Sequence, residues 1–136
     1  MRVVGNEQEV GAAIDAAVTA LVAAGARLVY LHGSSAACTA RPDSDIDLAA
    51  WFSTVGDERP PYAHDLDLSD DIDLLVLDRA PLELAGRVAL HGSLLHASDT
   101  DERVHWEAMT RKVYADELPR ITRSHQKFLA VAATRD

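Results

Sequence analysis

The sequence predicts a one-domain α/β protein of the α+β type, in which a small mixed β-sheet has helices packed on one side and is followed by a helical C-terminal part. Three observations support this prediction. A chain of 136 residues has the usual size of one domain, expected to span residues 1–136. Segments with helical periodicity alternate with short apolar runs that are typical of strands. With 48% hydrophobic residues, the chain can form a core of its own.

The individual elements follow from local patterns. Apolar residues recur at helical spacing in three segments, which are residues 7–24, 81–90 and about 100–133. Short runs rich in β-forming residues predict four strands, at residues 27–32, 45–52, 72–77 and 93–96. A charged stretch with two prolines, residues 54–70, predicts a loop or a short helix between loops. We expect Pro119 to break the last helix, because proline lacks the amide hydrogen of a helical bond.

Charge and cysteine content exclude several classes of function. The chain carries 22 acidic and 13 basic side chains, and the net charge of −9 disfavours direct binding of nucleic acid and favours cations or basic protein partners. A single cysteine, Cys38, excludes an internal disulfide and a thiolate zinc cluster, and fits a reducing compartment. The sequence near Met1 has no apolar signal segment, and no uninterrupted apolar run reaches about 18 residues. We therefore expect a cytoplasmic protein without a membrane span.

The start of the second predicted strand carries the most informative residues, Asp45-Ile46-Asp47. Side chains two positions apart on a strand face the same side, with about 7 Å between their α-carbons. Asp45 and Asp47 can therefore lean together and share hard cations such as Mg²⁺, which prefers carboxylate and phosphate oxygens. Ile46 and Leu48 point the other way, into the core, and fix the register of the strand.

A phosphate-binding turn is expected just before these carboxylates. Gly33 allows a ligand to approach the backbone closely, and the hydroxyl of Ser34 with neighbouring amides could contact phosphate oxygens. Arg41, in the connection to Asp45, could also reach a phosphate, although loop arginines are mostly solvated. His32 could line the same pocket, but a hydrogen-bonded structural histidine is the preferred interpretation.

A third carboxylate is expected on the neighbouring strand. Asp73 is the best candidate, because it lies inside an apolar run where an unpaired charge would be costly unless it met a metal or opened onto a site. Asp71 shares its face but lies at the frayed start of the strand, and it ranks second.

Gly33-Ser34, ten further residues and then Asp45-Ile46-Asp47 resemble the nucleotidyltransferase superfamily of the DNA polymerase β type. The short chain, the strand at 72–81 and the downstream Gly-Ser-Leu-Leu at 92–95 are similar to minimal nucleotidyltransferase (MNT) antitoxins, the partners of HEPN ribonuclease toxins. The resemblance covers roughly residues 28–95, and the C-terminal part is similar only in being helical.

The resemblance implies a nucleotidyltransferase fold and a site of known chemistry. Two Mg²⁺ ions would be bound by Asp45, Asp47 and Asp73, and Gly33 and Ser34 would hold the triphosphate of ATP. In-line attack at the α-phosphate would then transfer AMP and release pyrophosphate. In MNT antitoxins the implied acceptor is a tyrosine of the cognate HEPN toxin, with which a hetero-oligomer is expected, and AMP on that tyrosine blocks RNA cleavage.

Other interpretations remain open from the sequence. The same core could serve a transferase for a small molecule such as an aminoglycoside, although the roughly 40 residues after Leu95 offer little material for a substrate domain. A binding-only antitoxin could neutralise its toxin by covering it, and an inactive descendant could keep the fold. The acidic residues at 65–71 form either a solvated loop or a surface for a basic toxin face. Neither a P-loop nor a dinucleotide motif is present.

Overall fold

The computed structural model describes residues 7–33, 46–55 and 57–134. Its three helices are α1 (Glu7–Ala23), α2 (Leu82–His91) and α3 (Thr100–Thr134). Its four strands are β1 (Leu28–Leu31), β2 (Ile46–Trp51), β3 (Ile72–Val76) and β4 (Ser93–Ala97). Short 3-10 helices at Ala63–Asp65 and Leu77–Arg79 complete the described elements. The predicted α/β class is confirmed, and the stretch at 54–70 is a loop around one short helix.

The four strands form one mixed sheet in the order β3-β2-β1-β4. β1 pairs in antiparallel fashion with both β2 and β4, whereas β2 and β3 run parallel. The parallel pairing places Asp47 directly beside Asp73. β3 therefore forms an edge of the described sheet and holds one of the two carboxylates there.

Both faces of the sheet are covered by helices, which differs from the predicted one-sided arrangement. On one face, Ala17 and Leu21 of α1 pack against strand residues that include Ile46 and Leu48, so these two point into the core as expected. On the other face, α2 and α3 pack on a second cluster around the fully buried Tyr30. The alternation of side chains along β1 and β2 makes this possible, because both faces of these central strands are apolar.

A buried polar network fastens α3 to the sheet. The hydroxyl of Tyr30 donates to a carboxylate oxygen of Glu107 at 2.8 Å, and the same carboxylate accepts hydrogen bonds from Arg103 and Arg111. Arg111 also donates to the carbonyl of Ala89 in α2 at 2.8 Å. Burial and the Glu107 carboxylate raise the pKa of the Tyr30 hydroxyl, so it stays protonated as the donor.

The predicted break at Pro119 is wrong, because α3 is one helix from Thr100 to Thr134 with Pro119 inside it. Proline removes the donor that would bond to the carbonyl of Ala115. Both Ala115 and Pro119 are exposed, so water can reach this part of the helix and satisfy that carbonyl. Among the helices described, none is both long enough and apolar enough to span a membrane.

Candidate nucleotide site

Two carboxylates lie side by side on adjacent parallel strands. Asp47 of β2 and Asp73 of β3 are register partners, so their α-carbons are about 4.8 Å apart and their side chains leave the same face of the sheet. This is the face covered by α2 and α3. Ala49 and Leu75, two positions further along the same strands, belong to the apolar cluster around Tyr30 beneath these helices. Two carboxylates that leave the same face from neighbouring strands can turn towards one cation. The arrangement therefore suits a hard cation bound by carboxylate oxygens.

The two carboxylates differ in their surroundings. Asp47 is half-buried on an inner strand, whereas Asp73 is exposed on the edge strand β3. The sequence-based argument that Asp73 is costly inside an apolar strand is therefore incorrect, because edge position leaves its side chain in water. Its candidacy rests instead on its register with Asp47.

Gly33 is fitted against the Asp47 carboxylate. Its φ of +68° lies in the left-handed region that side chains disfavour, and a Cβ added there would be 2.6 Å from Oδ2 of Asp47. The preceding amide, of His32, donates to the backbone carbonyl of Asp47 at 3.0 Å. Glycine is thus required at this position for two independent reasons. The close approach of a ligand to the Gly33 backbone stays a prediction.

A cavity of about 640 Å³ opens beside these residues. Gly33 and Asp47 line it from the sheet, and Leu84, Arg87 and Val88 line it from α2. Its volume lies in the range of small-molecule sites, and its walls are mainly apolar with a few polar groups. An apolar surface that could contact a nucleobase, a carboxylate that could bind a metal and a guanidinium that could bind phosphate are thus present in one cavity.

His32 also lines the cavity, and the sequence favoured a hydrogen-bonded structural role for it. Its Nε2 atom is buried and has no hydrogen-bond partner among the described residues. A buried nitrogen without a partner is unfavourable, and a ligand with a polar group in this cavity would supply one.

Three of the predicted site residues cannot be placed. Ser34, Arg41 and Asp45 lie outside the described residues. Within 7–33, 46–55 and 57–134, no group of three or more His, Cys, Asp or Glu side chains could hold a metal ion. The described part of the site is accordingly the pair of Asp47 and Asp73 with Gly33 beside it.

Sequence reasoning missed the contribution of α2. Leu84, Arg87, Val88 and His91 all line the cavity from this helix. Arg87 reaches out from the helix with its side chain 62% exposed, and it pairs with Glu83 at 3.1 Å. The available signal was an apolar pair at i and i+4, Leu84 and Val88, flanked by basic residues in the helix that follows the Asp73 strand.

A comparison with protein families gives one match. Residues 23–101, more than half of the chain, match the family model described as polymerase beta, nucleotidyltransferase. The chain belongs to this nucleotidyltransferase family. The match includes Gly33, Asp47 and Asp73, the three described residues that the resemblance singled out. No curated protein matches the chain.

Solved structures of toxin–antitoxin complexes share this nucleotidyltransferase fold. A crystal structure of a toxin–antitoxin with AMP-PNP has a TM-score of 0.56 at 24% identity, covering 82% of this chain and 97% of that chain. The toxin–antitoxin MntA-HepT gives 0.55 at 20% identity, covering 85% and 98%. A tri-AMPylated Shewanella oneidensis HEPN toxin in complex with MNT antitoxin gives 0.53 at 22% identity, also covering 85% and 98%. At these identities the likeness shows the fold.

Proposed function

We propose that this nucleotidyltransferase is an antitoxin that transfers AMP from ATP to a tyrosine of a cognate HEPN ribonuclease toxin and thereby neutralises it. The observation that supports this most directly is the register pairing of Asp47 with Asp73, since Asp47 lines a cavity together with Gly33. The similar fold of antitoxins in complexes with HEPN toxin, one of them tri-AMPylated, supports the choice of acceptor. ATP and the RNA that such a toxin cleaves place the proposed reaction in the cytoplasm.

The described residues fit the metal that the family implies, because carboxylate oxygens are the ligands that Mg²⁺ prefers. In the proposed site, Asp47, Asp73 and Asp45 would hold two Mg²⁺ ions, and Gly33 and Ser34 would contact the triphosphate. Bound Mg²⁺ would neutralise phosphate charge and favour ionisation of the acceptor hydroxyl. The tyrosine hydroxyl would release its proton to water at the open edge of the sheet, and its oxygen would form a bond to the α-phosphorus. The bond between the α-phosphorus and the oxygen that bridges to the β-phosphate would break, and pyrophosphate would leave.

The site is accessible to a macromolecular acceptor. β3 lies at the edge of the described sheet, and Asp73 on it is exposed. A tyrosine presented by another protein could therefore approach the carboxylate pair from this edge, while the nucleotide occupies the cavity under α2. In the proposed reaction, the acceptor protein completes the site by covering this opening.

The proposal predicts a covalent change in the partner. When the purified chain is incubated with ATP, Mg²⁺ and the product of the adjacent gene, intact-mass analysis should show that the partner gains whole AMP units. Fragmentation of the modified partner should place AMP on tyrosine, and chelation of Mg²⁺ should prevent the gain.

The same reaction series distinguishes the alternatives. If the partner binds but gains no mass with any nucleotide, the transferase proposal is wrong and a binding-only antitoxin is favoured. If AMP appears on an added aminoglycoside and not on the partner, the substrate is a small molecule.

Arg87 is expected to bind the triphosphate from α2, because it lines the cavity that contains Asp47 and its guanidinium extends towards solvent. Arg87→Ala should raise the KM for ATP by about 10- to 100-fold, the effect of losing one charge-assisted hydrogen bond, and should change kcat less. Steady-state kinetics with ATP as the varied substrate would measure this. Arg59→Ala is the matched control, because Arg59 is exposed in a loop away from the cavity. An unchanged KM for Arg87→Ala would exclude this contact.

A further inference from the structure

The second half of α3 extends beyond the folded domain. The helix has 35 residues, which corresponds to a length of about 52 Å. Its buried residues are Trp106, Glu107 and Tyr114. After Tyr114, every residue of the helix whose side chain is described is exposed or half-buried. The segment of residues 115–134, called the projecting half of α3 below, is about 30 Å long, and its described side chains, which reach to residue 127, belong to neither buried cluster.

An apolar stripe continues along the projecting half. Tyr114, Leu118 and Ile121 are spaced at i, i+4 and i+7, so they share one face of the helix. Tyr114 uses this face to pack against α2, at the backbone of Gly86. Leu118 is 41% exposed on the same face. The face that joins α3 to the domain thus continues past the point where the domain ends.

A helix of this composition gains little stability alone. Isolated helices of this length are marginal in water, and Pro119 removes one hydrogen bond from the segment. Packing of an amphipathic face against another surface is the usual source of helix stability in proteins. Both arguments favour a partner that covers the stripe of Leu118 and Ile121.

The charge of this region indicates the chemistry of that partner. Residues 111–127 carry five lysines and arginines and two carboxylates, in a chain whose net charge is −9. Arg120, Arg123 and Lys127 lie together around a shallow pocket on the projecting half. A second copy of this chain would place these cations against each other if the two stripes met. A surface with carboxylates beside an apolar groove would complement both features.

We infer that the projecting half of α3 is a docking helix, which lies in an apolar groove bordered by carboxylates on the acceptor protein. The inference rests on the proposed function for the identity of the partner, taken as the protein that receives AMP. α3 packs on the same face of the sheet as α2, and α2 lines the cavity. A partner bound to α3 would therefore lie on the same side of the sheet as the cavity. The family match ends at residue 101, so this recognition element lies beyond the shared transferase region.

The test compares two variants with equal changes of charge. Leu118→Glu with Ile121→Glu places two carboxylates in the stripe, whereas Lys112→Glu makes the same change of charge at an exposed position of α3 on the face opposite Tyr114 and Leu118. Glutamate favours helix, so circular dichroism should show α3 retained in both. Calorimetry with the product of the adjacent gene should show affinity reduced about 100-fold or more by the stripe variant and nearly unchanged by the control. Arg120→Ala with Lys127→Ala should slow association and reduce its dependence on salt.

Several results would overturn the inference. Equal affinity of the stripe variant and the wild type would show that the partner docks elsewhere, and lack of wild-type binding would show that this protein is not the partner. Light scattering that shows a wild-type dimer, dissociated by the stripe variant without loss of partner binding, would assign the stripe to self-association. Binding of RNA that depends on Arg120 and Lys127, with partner binding intact, would assign the cations to nucleic acid.

The experiments measure partner binding and AMP transfer separately, so that failure of the docking helix can be distinguished from failure of the proposed function. Wild-type binding without AMP transfer would contradict the proposed function and leave the docking helix supported. AMP transfer to a partner that the stripe variant binds normally would support the proposed function and contradict the docking helix.

Discussion

Replacing Asp47 with asparagine is expected to lower the rate of AMP transfer by about 1000-fold, the scale seen when one electrostatic contact to a transition state is lost. Asparagine has nearly the size of aspartate, so it keeps the fit against Gly33 while removing the charge that would bind Mg²⁺. Time courses of AMP incorporation into the partner measure the effect as kcat/KM. Asp73→Asn should act in the same direction, because Asp73 is the register partner of Asp47.

The matched control is Asp57→Asn, the same chemical change at an exposed loop position. It should leave transfer unchanged, and thermal unfolding should show that all three variants remain folded. Transfer within a few-fold of wild type by Asp47→Asn would mean that the carboxylate pair is not the catalytic site. Neutralisation of the toxin in cells by Asp47→Asn, at matched expression, would instead indicate that binding alone is sufficient.

Gly86→Ala is expected to destabilise the fold by about 3 kcal/mol, near the upper end for overpacking of a protein interior. A Cβ at Gly86 would overlap with Cγ and Cδ1 of the Tyr114 ring. The ring of Tyr114 is buried against the backbone of α2, so neither helix can yield without separating α2 from α3. Urea unfolding measures the change as a shift of the midpoint at constant slope.

Gly11→Ala is the matched control, since Gly11 lies inside α1 and an added Cβ meets nothing within 4 Å. This substitution should stabilise the protein by about 0.5–1 kcal/mol, because alanine favours helix over glycine. In the background of Tyr114→Ala, Gly86→Ala should cost much less, which would identify the ring as the cause. Equal stability of the Gly86→Ala and Gly11→Ala variants would contradict the close packing of α2 and α3.

Local patterns were sufficient to predict the elements of the fold. The strand prediction at 72–77 agrees with β3, Ile72–Val76, because an apolar run between turns has one favourable conformation. The side of the sheet on which each helix packs was not predictable in this way. Ile46 and Ala49 are both apolar, and only the assembled sheet shows that they face different helices. At Pro119, the helix continues although proline usually breaks a helix, because water can reach the carbonyl that proline leaves without a donor.

The candidate site was predicted only in part. Alternation along β2 places the side chain of Asp47 opposite the core residues Ile46 and Leu48, which a strand pattern can show. The pairing with Asp73 depends on the register of two strands separated by 20 residues of loop and turn, from 52 to 71, which no local pattern specifies. The cavity wall from α2, with Arg87, depends on how that helix rotates against the sheet. Ser34, Arg41 and Asp45 remain predictions.

The aromatic cluster beneath α3 has a practical consequence for spectroscopy. The chain has two tryptophans, and the ring of Trp106 lies 5.4 Å from that of Tyr30 and 6.4 Å from that of Trp51. All three rings belong to the cluster that joins the sheet to α2 and α3. Tryptophan emission therefore reports mainly on this half of the molecule, because α1, on the opposite face, contains neither tryptophan nor tyrosine. Separation of α3 from the sheet can be followed by emission without any added label.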